Sequence, residues 1–298
     1  MKITIIGAGN VGTSVAYALI LRELISELVL VDINKDLLLA RELELSQSIA
    51  AFNFDVKITC TSDYKYTKNS QVVIFSAGVA RKEGQSRDEL FTINSKIMLE
   101  CAQCIKQYNQ DPLFIIVSNP VDFLLNTLYK SKLFRSNKII AMAGVLDNAR
   151  FKYELSKRLN LKTSEVDTKL IGFHNDSMVL IQSQSKIKNK ALDEVLNAQV
   201  IAQIEHEVKT GGAKVIKHLK TSAYLAPASA CVRMMEALKS GEFLPMSVIL
   251  NGEYGLYGKA FGVMARISLE GVLETLELKL SEHEQLALEK SFIQYNYK

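Results

Sequence analysis

Gly7-Ala8-Gly9-Asn10-Val11-Gly12 is the segment that most restricts what this chain can become. It follows the short apolar run Ile3 to Ile6 directly and opens a helical pattern from Thr13 to Arg22. A G-x-G-x-x-G run alone is only a glycine-rich turn, but between a strand and a helix it is a dinucleotide-binding turn. Gly7 permits the tight turn, Gly9 lets a pyrophosphate approach the backbone, and Gly12 lets helix and strand pack closely. Asn10 and Val11 stand where backbone N–H groups of the helix start face the phosphates. Asp32 ends a second apolar run, Leu28 to Val31, 20 residues beyond Gly12. A carboxylate there accepts both ribose hydroxyls and repels a 2′-phosphate, and neither Ile33 nor Asn34 offers a cation to it. The expected cofactor is therefore NAD rather than NADP.

The rest of the first half repeats the alternation. Short apolar runs at Val56 to Cys60, Val72 to Phe75, Phe114 to Val117 and Ile139 to Ala141 read as strands. Helical periodicity fills Leu37 to Phe52, Ser95 to Tyr108 and Val121 to Lys130. Fully apolar strands separated by helices imply a parallel sheet covered on both faces, and right-handed crossovers make it doubly wound. The second half changes character. Asn148 to Asn160, Ala191 to Val208 and Tyr224 to Lys239 read as helices. Thr168 to Phe173 with Met178 to Gln182, and Pro245 to Leu250 with Phe261 to Ile267, read as strand pairs. Ser281 with Glu284 is a capping box opening a last helix. The fold class expected is α/β, a doubly wound Rossmann sheet (1–143) followed by an α+β catalytic domain with antiparallel strands (144–298).

Composition narrows the function mainly by exclusion. A formal charge of +4 with no long basic run gives no footprint for nucleic acid. The N-terminal apolar run is too short for a signal peptide, and no segment approaches the roughly 18 apolar residues of a membrane span, so the cytoplasm is the expected location. Four cysteines in 298 residues do not form a disulfide framework. Cys101 and Cys104 lie inside a helical pattern without a second ligand pair, so packed thiols are expected rather than a metal site.

Four polar segments stand near predicted strand ends: Arg81 to Leu90, Ser118 to Asp122, Leu146 to Arg150, and Gly172 to Asp176. Each has an ordinary reading. Loop arginines are usually solvated, Asp147 and Arg150 three apart can simply pair, Asn119-Pro120 can be a plain turn, and a lone histidine is more often structural. Their coincidence behind a dinucleotide turn is what requires a further account.

In the order G-A-G-N-V-G, V-D-I, S-A-G-V-A-R-K-E-G-Q-S-R-D-E-L, V-S-N-P-V-D, G-V-L-D-N-A-R-F and G-F-H-N-D-S-M-V, the chain resembles the lactate/malate dehydrogenase family along nearly its whole length. The resemblance implies NAD-linked oxidation of a 2-hydroxy acid. It makes His174 the acid/base, Asp147 its carboxylate partner, Arg150 the grip on the substrate C1 carboxylate, and Arg87 the loop arginine that polarises the reacting oxygen. It places Asn119 beside substrate and nicotinamide, and Asn94 and Ser118 with Asn119 in the cofactor site. Arg81 stands where the malate-specific members carry an arginine and the lactate-specific ones typically glutamine, which implies malate/oxaloacetate as the substrate pair. The chain is similar to the lactate-dehydrogenase-like branch, which implies a homotetramer or homodimer. It departs from the family at Asn175, where glycine is common after the histidine, and at Glu83, where proline is common. Two alternatives remain open at this point: lactate turnover, or a non-catalytic NAD-binding sensor on the same scaffold.

Overall fold

The computed structural model describes residues 1–79 and 87–296. In its first half β1 (Lys2–Ile6), α1 (Asn10–Leu21), β2 (Glu27–Val31), α2 (Lys35–Phe52) and β3 (Lys57–Thr61) form one βαβαβ unit. The second comprises β4 (Val72–Phe75), α3 (Arg87–Tyr108), β5 (Leu113–Ile116), α4 (Val121–Lys130) and β6 (Ile139–Ala141). These six strands pair in parallel in the order 3-2-1-4-5-6. Chain direction across the sheet reverses between β1 and β4, and ligands bind open α/β sheets at the carboxyl ends around such a point. The four described central residues of β4, Val72 to Phe75, have no exposed side chain, and Ile3 and Ile5 of β1 are equally covered. Each such side chain contributes about 1.5–3 kcal/mol by leaving water. Helices supply the cover on both faces, with α1 packed against the later helix α8 (Leu225–Ser240) on one and α3 against α4 on the other.

After β6 come α5 (Ala143–Leu159), β7 (Val166–Asp167), β8 (Leu170–Ile171), β9 (Val179–Leu180), β10 (Lys186–Ile187) and β11 (Lys190–Ala191). They are followed by α6 (Leu192–Val195), α7 (Ala198–Leu219), α8 (Leu225–Ser240), β12 (Leu244–Asn251), β13 (Tyr257–Ser268), β14 (Gly271–Leu276) and α9 (Glu282–Asn296). The expected strand pair at 168–182 exists as the antiparallel β8 and β9, shorter than its apolar runs. The helix expected over Ala191 to Val208 is two helices. Asn197 breaks it by capping α7, its Oδ1 accepting from the Val200 N–H at 3.0 Å, and α7 then continues through Gly211 and Gly212 to Leu219.

Three further differences matter for function. The antiparallel strands β12, β13 and β14 do not form a separate sheet. They extend the parallel one through Ser247 opposite Ala141, giving nine strands across the boundary expected at Met142 to Gly144. Helix α5 begins at Ala143 rather than Asn148, so Asp147 and Arg150 share its N-terminal half. The polar segment expected as a loop from Arg81 to Leu90 is already helical at Arg87. No helix among the described residues is long and apolar enough to cross a membrane.

Candidate active site

The carboxyl ends of β1 and β4 meet through glycine. Gly7 has φ +105°, and a side chain on it would meet the Ala77 backbone nitrogen at 2.7 Å. On Gly12 a Cβ would lie 1.9 Å from the Gly7 carbonyl oxygen, so α1 touches the strand turn backbone to backbone. Gly9 is different: nothing lies within 4 Å of the position its Cβ would take. Gly9 also precedes α1 without a side-chain cap, so the N–H groups of Asn10 and Val11 face open space at the positive end of a 12-residue helix. Asp32 closes the other side. Its Oδ2 accepts from the Ala8 N–H at 2.7 Å and its Oδ1 from the Asn34 N–H at 3.0 Å. Each oxygen keeps a lone pair for a hydroxyl. Open space at Gly9, uncapped helix N–H groups and a pinned carboxylate fit a dinucleotide: phosphates on the helix end, ribose on Asp32.

Asn94 and Ser118 sit one layer behind that surface. The Asn94 side chain accepts from the Val79 N–H at 2.9 Å and donates to the Asn119 carbonyl at 2.8 Å. It is 2% exposed, so it ties α3 to the loops after β4 and β5 instead of facing outward. Ser118 Oγ donates to the Ala77 carbonyl at 2.7 Å and links the same two loops. Asn119, joined to Pro120 by a cis peptide, is exposed at their edge. Arg81 lies outside the described residues, as does the side chain of Arg87, whose backbone opens α3.

The titratable cluster is built on α5 and on the loop between β8 and β9. Asp147 is wholly buried. Its Oδ2 stands 2.6 Å from His174 Nδ1, and its Oδ1 accepts from Arg150 Nη1 at 2.9 Å. The i,i+3 pairing of Asp147 and Arg150 is therefore present, yet the second carboxylate oxygen serves the histidine. Burial works against a charged imidazole, but the Asp147 carboxylate outweighs it by charge and hydrogen bond, so His174 holds its proton above the ordinary histidine range. With Nδ1 committed to Asp147, Nε2 is the ring nitrogen left for a reactant. Arg150 keeps a quarter of its side chain exposed, and α7 passes it with Gly212, whose missing side chain leaves room beside Nη2.

Glycine also brings the histidine loop into place. Gly172, with φ +109°, donates its N–H to the Gly262 carbonyl at 2.9 Å, and a Cβ on Gly262 would lie 2.2 Å from the Gly172 oxygen. Asn175 takes no left-handed conformation, so the glycine common at this place is not required here. Its Oδ1 accepts from the Ser177 N–H at 2.7 Å and from Ser177 Oγ at 2.6 Å, an Asx turn that needs the asparagine side chain. Ser177 Oγ in turn meets Ser291 Oγ of α9 at 2.9 Å, which braces the loop from behind.

Reading the sequence alone passes over one member of this cluster. Asp122 opens α4 three residues after Asn119 and is 4% exposed. Its Oδ2 accepts from the His174 backbone N–H at 2.7 Å and its Oδ1 from Ser247 Oγ at 2.5 Å. An acid in a helix's first turn is common enough to pass as a cap or dipole partner. Only the distance in space to residue 174, 52 positions away, separates the two cases. His206, His218 and His283 are exposed and apart from the cluster, and the four cysteines are free thiols, with Cys231 pushed up to about 12 by burial. Among the described residues no group of His, Cys, Asp or Glu could hold a metal ion.

Comparison with known proteins gives the same picture. Residues 1–141 match the family model for the lactate/malate dehydrogenase NAD binding domain, and residues 144–295 that for its alpha/beta C-terminal domain. The chain is 67% identical over 298 residues to a probable malate dehydrogenase of Campylobacter jejuni, covering all of this chain and 99% of that one. It is similar in structure to the malate dehydrogenase of Aeropyrum pernix, with TM-score 0.95 at 29% identity over 99% of this chain and 96% of that one. A Cryptosporidium parvum lactate dehydrogenase, complexed with lactic acid and the nicotinamide cofactor, matches with TM-score 0.94 at 30% identity over 99% and 96% of the two chains. With both halves matched in order along nearly the whole length, the chain belongs to the lactate/malate dehydrogenase family, NAD-dependent oxidoreductases.

Proposed function

We propose that this protein is an NAD-dependent malate dehydrogenase, interconverting (S)-malate and oxaloacetate. The observation that carries the reading is the buried Asp147 carboxylate shared between the ring of His174 and the guanidinium of Arg150. The name of the Campylobacter relative supports the substrate assignment. Structural likeness alone does not, since lactate-specific neighbours superpose equally well. Residues 1–143 are assigned to the cofactor, with Arg81, Arg87 and Asn119 reaching the substrate from that side, and 144–298 to the C1 carboxylate and the proton.

Oxidising malate takes a proton from the C2 hydroxyl and a hydride from C2. Gly7, Gly9, Asn10, Val11, Gly12 and Asp32 would hold NAD, which when bound would supply the hydride acceptor. His174 Nε2 takes the hydroxyl proton, while Asp147 fixes the tautomer and stabilises the imidazolium that results. In the reverse direction the imidazolium returns that proton to the developing alkoxide. Arg150 holds the C1 carboxylate by two parallel hydrogen bonds, which fixes the face that C2 presents. Arg87 stabilises the negative charge at the C2 oxygen, and Asn119 orients the same oxygen at the loop edge. Arg81 binds the second carboxylate. Pyruvate, lacking that group, would leave the arginine without a partner in a poorly hydrated site, so the residue repels one substrate as it attracts the other.

NADH absorbance followed with oxaloacetate and with pyruvate tests the reading. Rapid oxidation with oxaloacetate is expected, and Arg81→Gln should lower the oxaloacetate/pyruvate ratio of kcat/KM at least tenfold. A native preference for pyruvate would overturn the substrate assignment. NADH binding without turnover of either acid would favour the sensor reading. We also propose a cytoplasmic homotetramer or homodimer acting on this small-molecule pair, with sedimentation to read the subunit count.

A further inference from the structure

We infer that Asp122 is a positioning residue for this reaction: its buried carboxylate, oriented by Ser247, clamps the His174 backbone to the start of α4 and places a second negative charge beside the imidazole. The inference rests on the reading of His174 as the proton carrier.

The argument begins with hydrogen-bond accounting. A backbone N–H can only donate, so Asp122 Oδ2 must accept from His174. Ser247 Oγ lies on the other carboxylate oxygen, 2.5 Å away, and its hydroxyl is free to donate. Two donors on two oxygens favour the ionised form of the acid and oppose its burial, which pushes the carboxyl up. Among the described residues no lysine or arginine pairs with Asp122, so the positive charge nearest in the hydrogen-bond network is the imidazolium of His174 when it forms. Among the described residues, the charged groups that face His174 are Asp147 and Arg150 on α5 and Asp122 on α4. β12 contributes the neutral Ser247, and α9 the neutral Ser291 by way of Ser177. Among the described residues, these two carboxylates and one guanidinium balance when the imidazole carries its proton. Asp147 touches the ring and sets its tautomer. Asp122 touches only the backbone, so it acts on the ring through space and on the loop through the clamp.

The clamp has a second consequence. Asp122 lies three residues beyond Asn119 and reaches both the histidine loop and β12. The edge that carries Asn119 and the loop that carries His174 are thereby tied together through the Asp122 side chain.

Asp122→Asn separates charge from geometry. An asparagine can keep both bonds, its oxygen accepting from the His174 N–H and its amide donating to Ser247 Oγ turned to accept. NMR titration of ring-labelled histidines, assigned by loss of a signal in His174→Gln, reads the imidazole without any substrate. Asp122→Asn should lower the His174 pKa, since the Asp122 carboxylate is one of the charges that hold the proton on the ring. The pH profile of oxaloacetate reduction should move the same way, and the KM for NADH should stay within twofold. A His174 pKa unchanged in a folded Asp122→Asn protein would overturn the inference. Should that variant fail to fold, the unmodified protein still decides: the His174 amide proton should resonate well downfield, as in a charge-assisted bond, and an ordinary amide position would overturn it. If the pKa falls while neither oxaloacetate nor pyruvate is turned over, the substrate reading fails and the role of Asp122 stands.

Discussion

Replacing Asp147 by asparagine removes one charge and no volume, which makes its consequences calculable from the geometry. The carboxylate stands 2.6 Å from His174 Nδ1 and 2.9 Å from Arg150 Nη1, both of them donors when the imidazole is charged. An amide has one oxygen and one NH2, so it can satisfy only one of them and must present a donor to the other. If the NH2 faces Nδ1, the tautomer reverses: Nδ1 becomes the acceptor and Nε2 carries the proton, leaving no base for malate. If it faces Arg150, that guanidinium loses its anchor. Hydrogen bonds to charged groups contribute about 1.5–3 kcal/mol each. Losing between one and two of them costs about 1.5–6 kcal/mol, or roughly 10–10⁴-fold in kcat/KM. The direction in pH follows as well. Asp147 raises the proton affinity of His174, so its loss lowers it. Malate oxidation needs the neutral ring and gains its rate as pH rises through that pKa, so its acid limb should move to lower pH. Oxaloacetate reduction needs the imidazolium, so its alkaline limb should move to lower pH too. Steady-state NADH assays from pH 5 to 10 in both directions would measure this. Asp147→Asn within threefold of the native kcat/KM, with both limbs in place, would refute the assignment of the pair.

Other expectations follow from packing and linkage. Gly262→Ala puts a methyl group 2.2 Å from the Gly172 carbonyl, a backbone atom that cannot rotate away, so a loss of about 1–3 kcal/mol in stability with a fall in kcat is expected. Thermal unfolding at the native Tm would count against the close approach of these strands. Glu284 accepts from Ser183 N–H, Ser183 Oγ and Ser281 N–H between 2.8 and 3.0 Å, bonds that outweigh its burial and hold the carboxyl below 4.5. A carboxyl depressed in the folded state adds stability that is present above its unfolded pKa and is lost as pH falls through the folded one. Glu284→Gln should therefore cost about 1–3 kcal/mol in urea unfolding at pH 7 and progressively less below pH 4.5. A constant difference at all pH values would show that the charge is irrelevant there.

Much of this protein was legible before any coordinates. The glycine turn, Asp32 at its distance and the apolar strands of the first half are local signals. Each depends on residues near in sequence, whose period and turn chemistry are set by covalent geometry. The residues Asp147, Arg150 and His174 were legible too, though as a coincidence of polar segments and a family resemblance rather than as a site. What tertiary structure alone decided is who touches whom. The family resemblance implies a place for Asn94 in the cofactor site, while its burial as a strut between two loops is visible only in space, because α3 begins earlier than its apolar period does. The hairpin β12–β13 reads as part of a second unit, yet it extends the first unit's sheet, pairing with the backbone that β6 leaves open on its outer side. Asp122 reads as a helix-end acid, yet it holds the histidine backbone, because β12 sets Ser247 beside it. Periodicity records which side of an element meets the core. It carries no trace of the partner met there, since a hydrogen bond between residues 52 or 125 positions apart leaves no pattern along the chain.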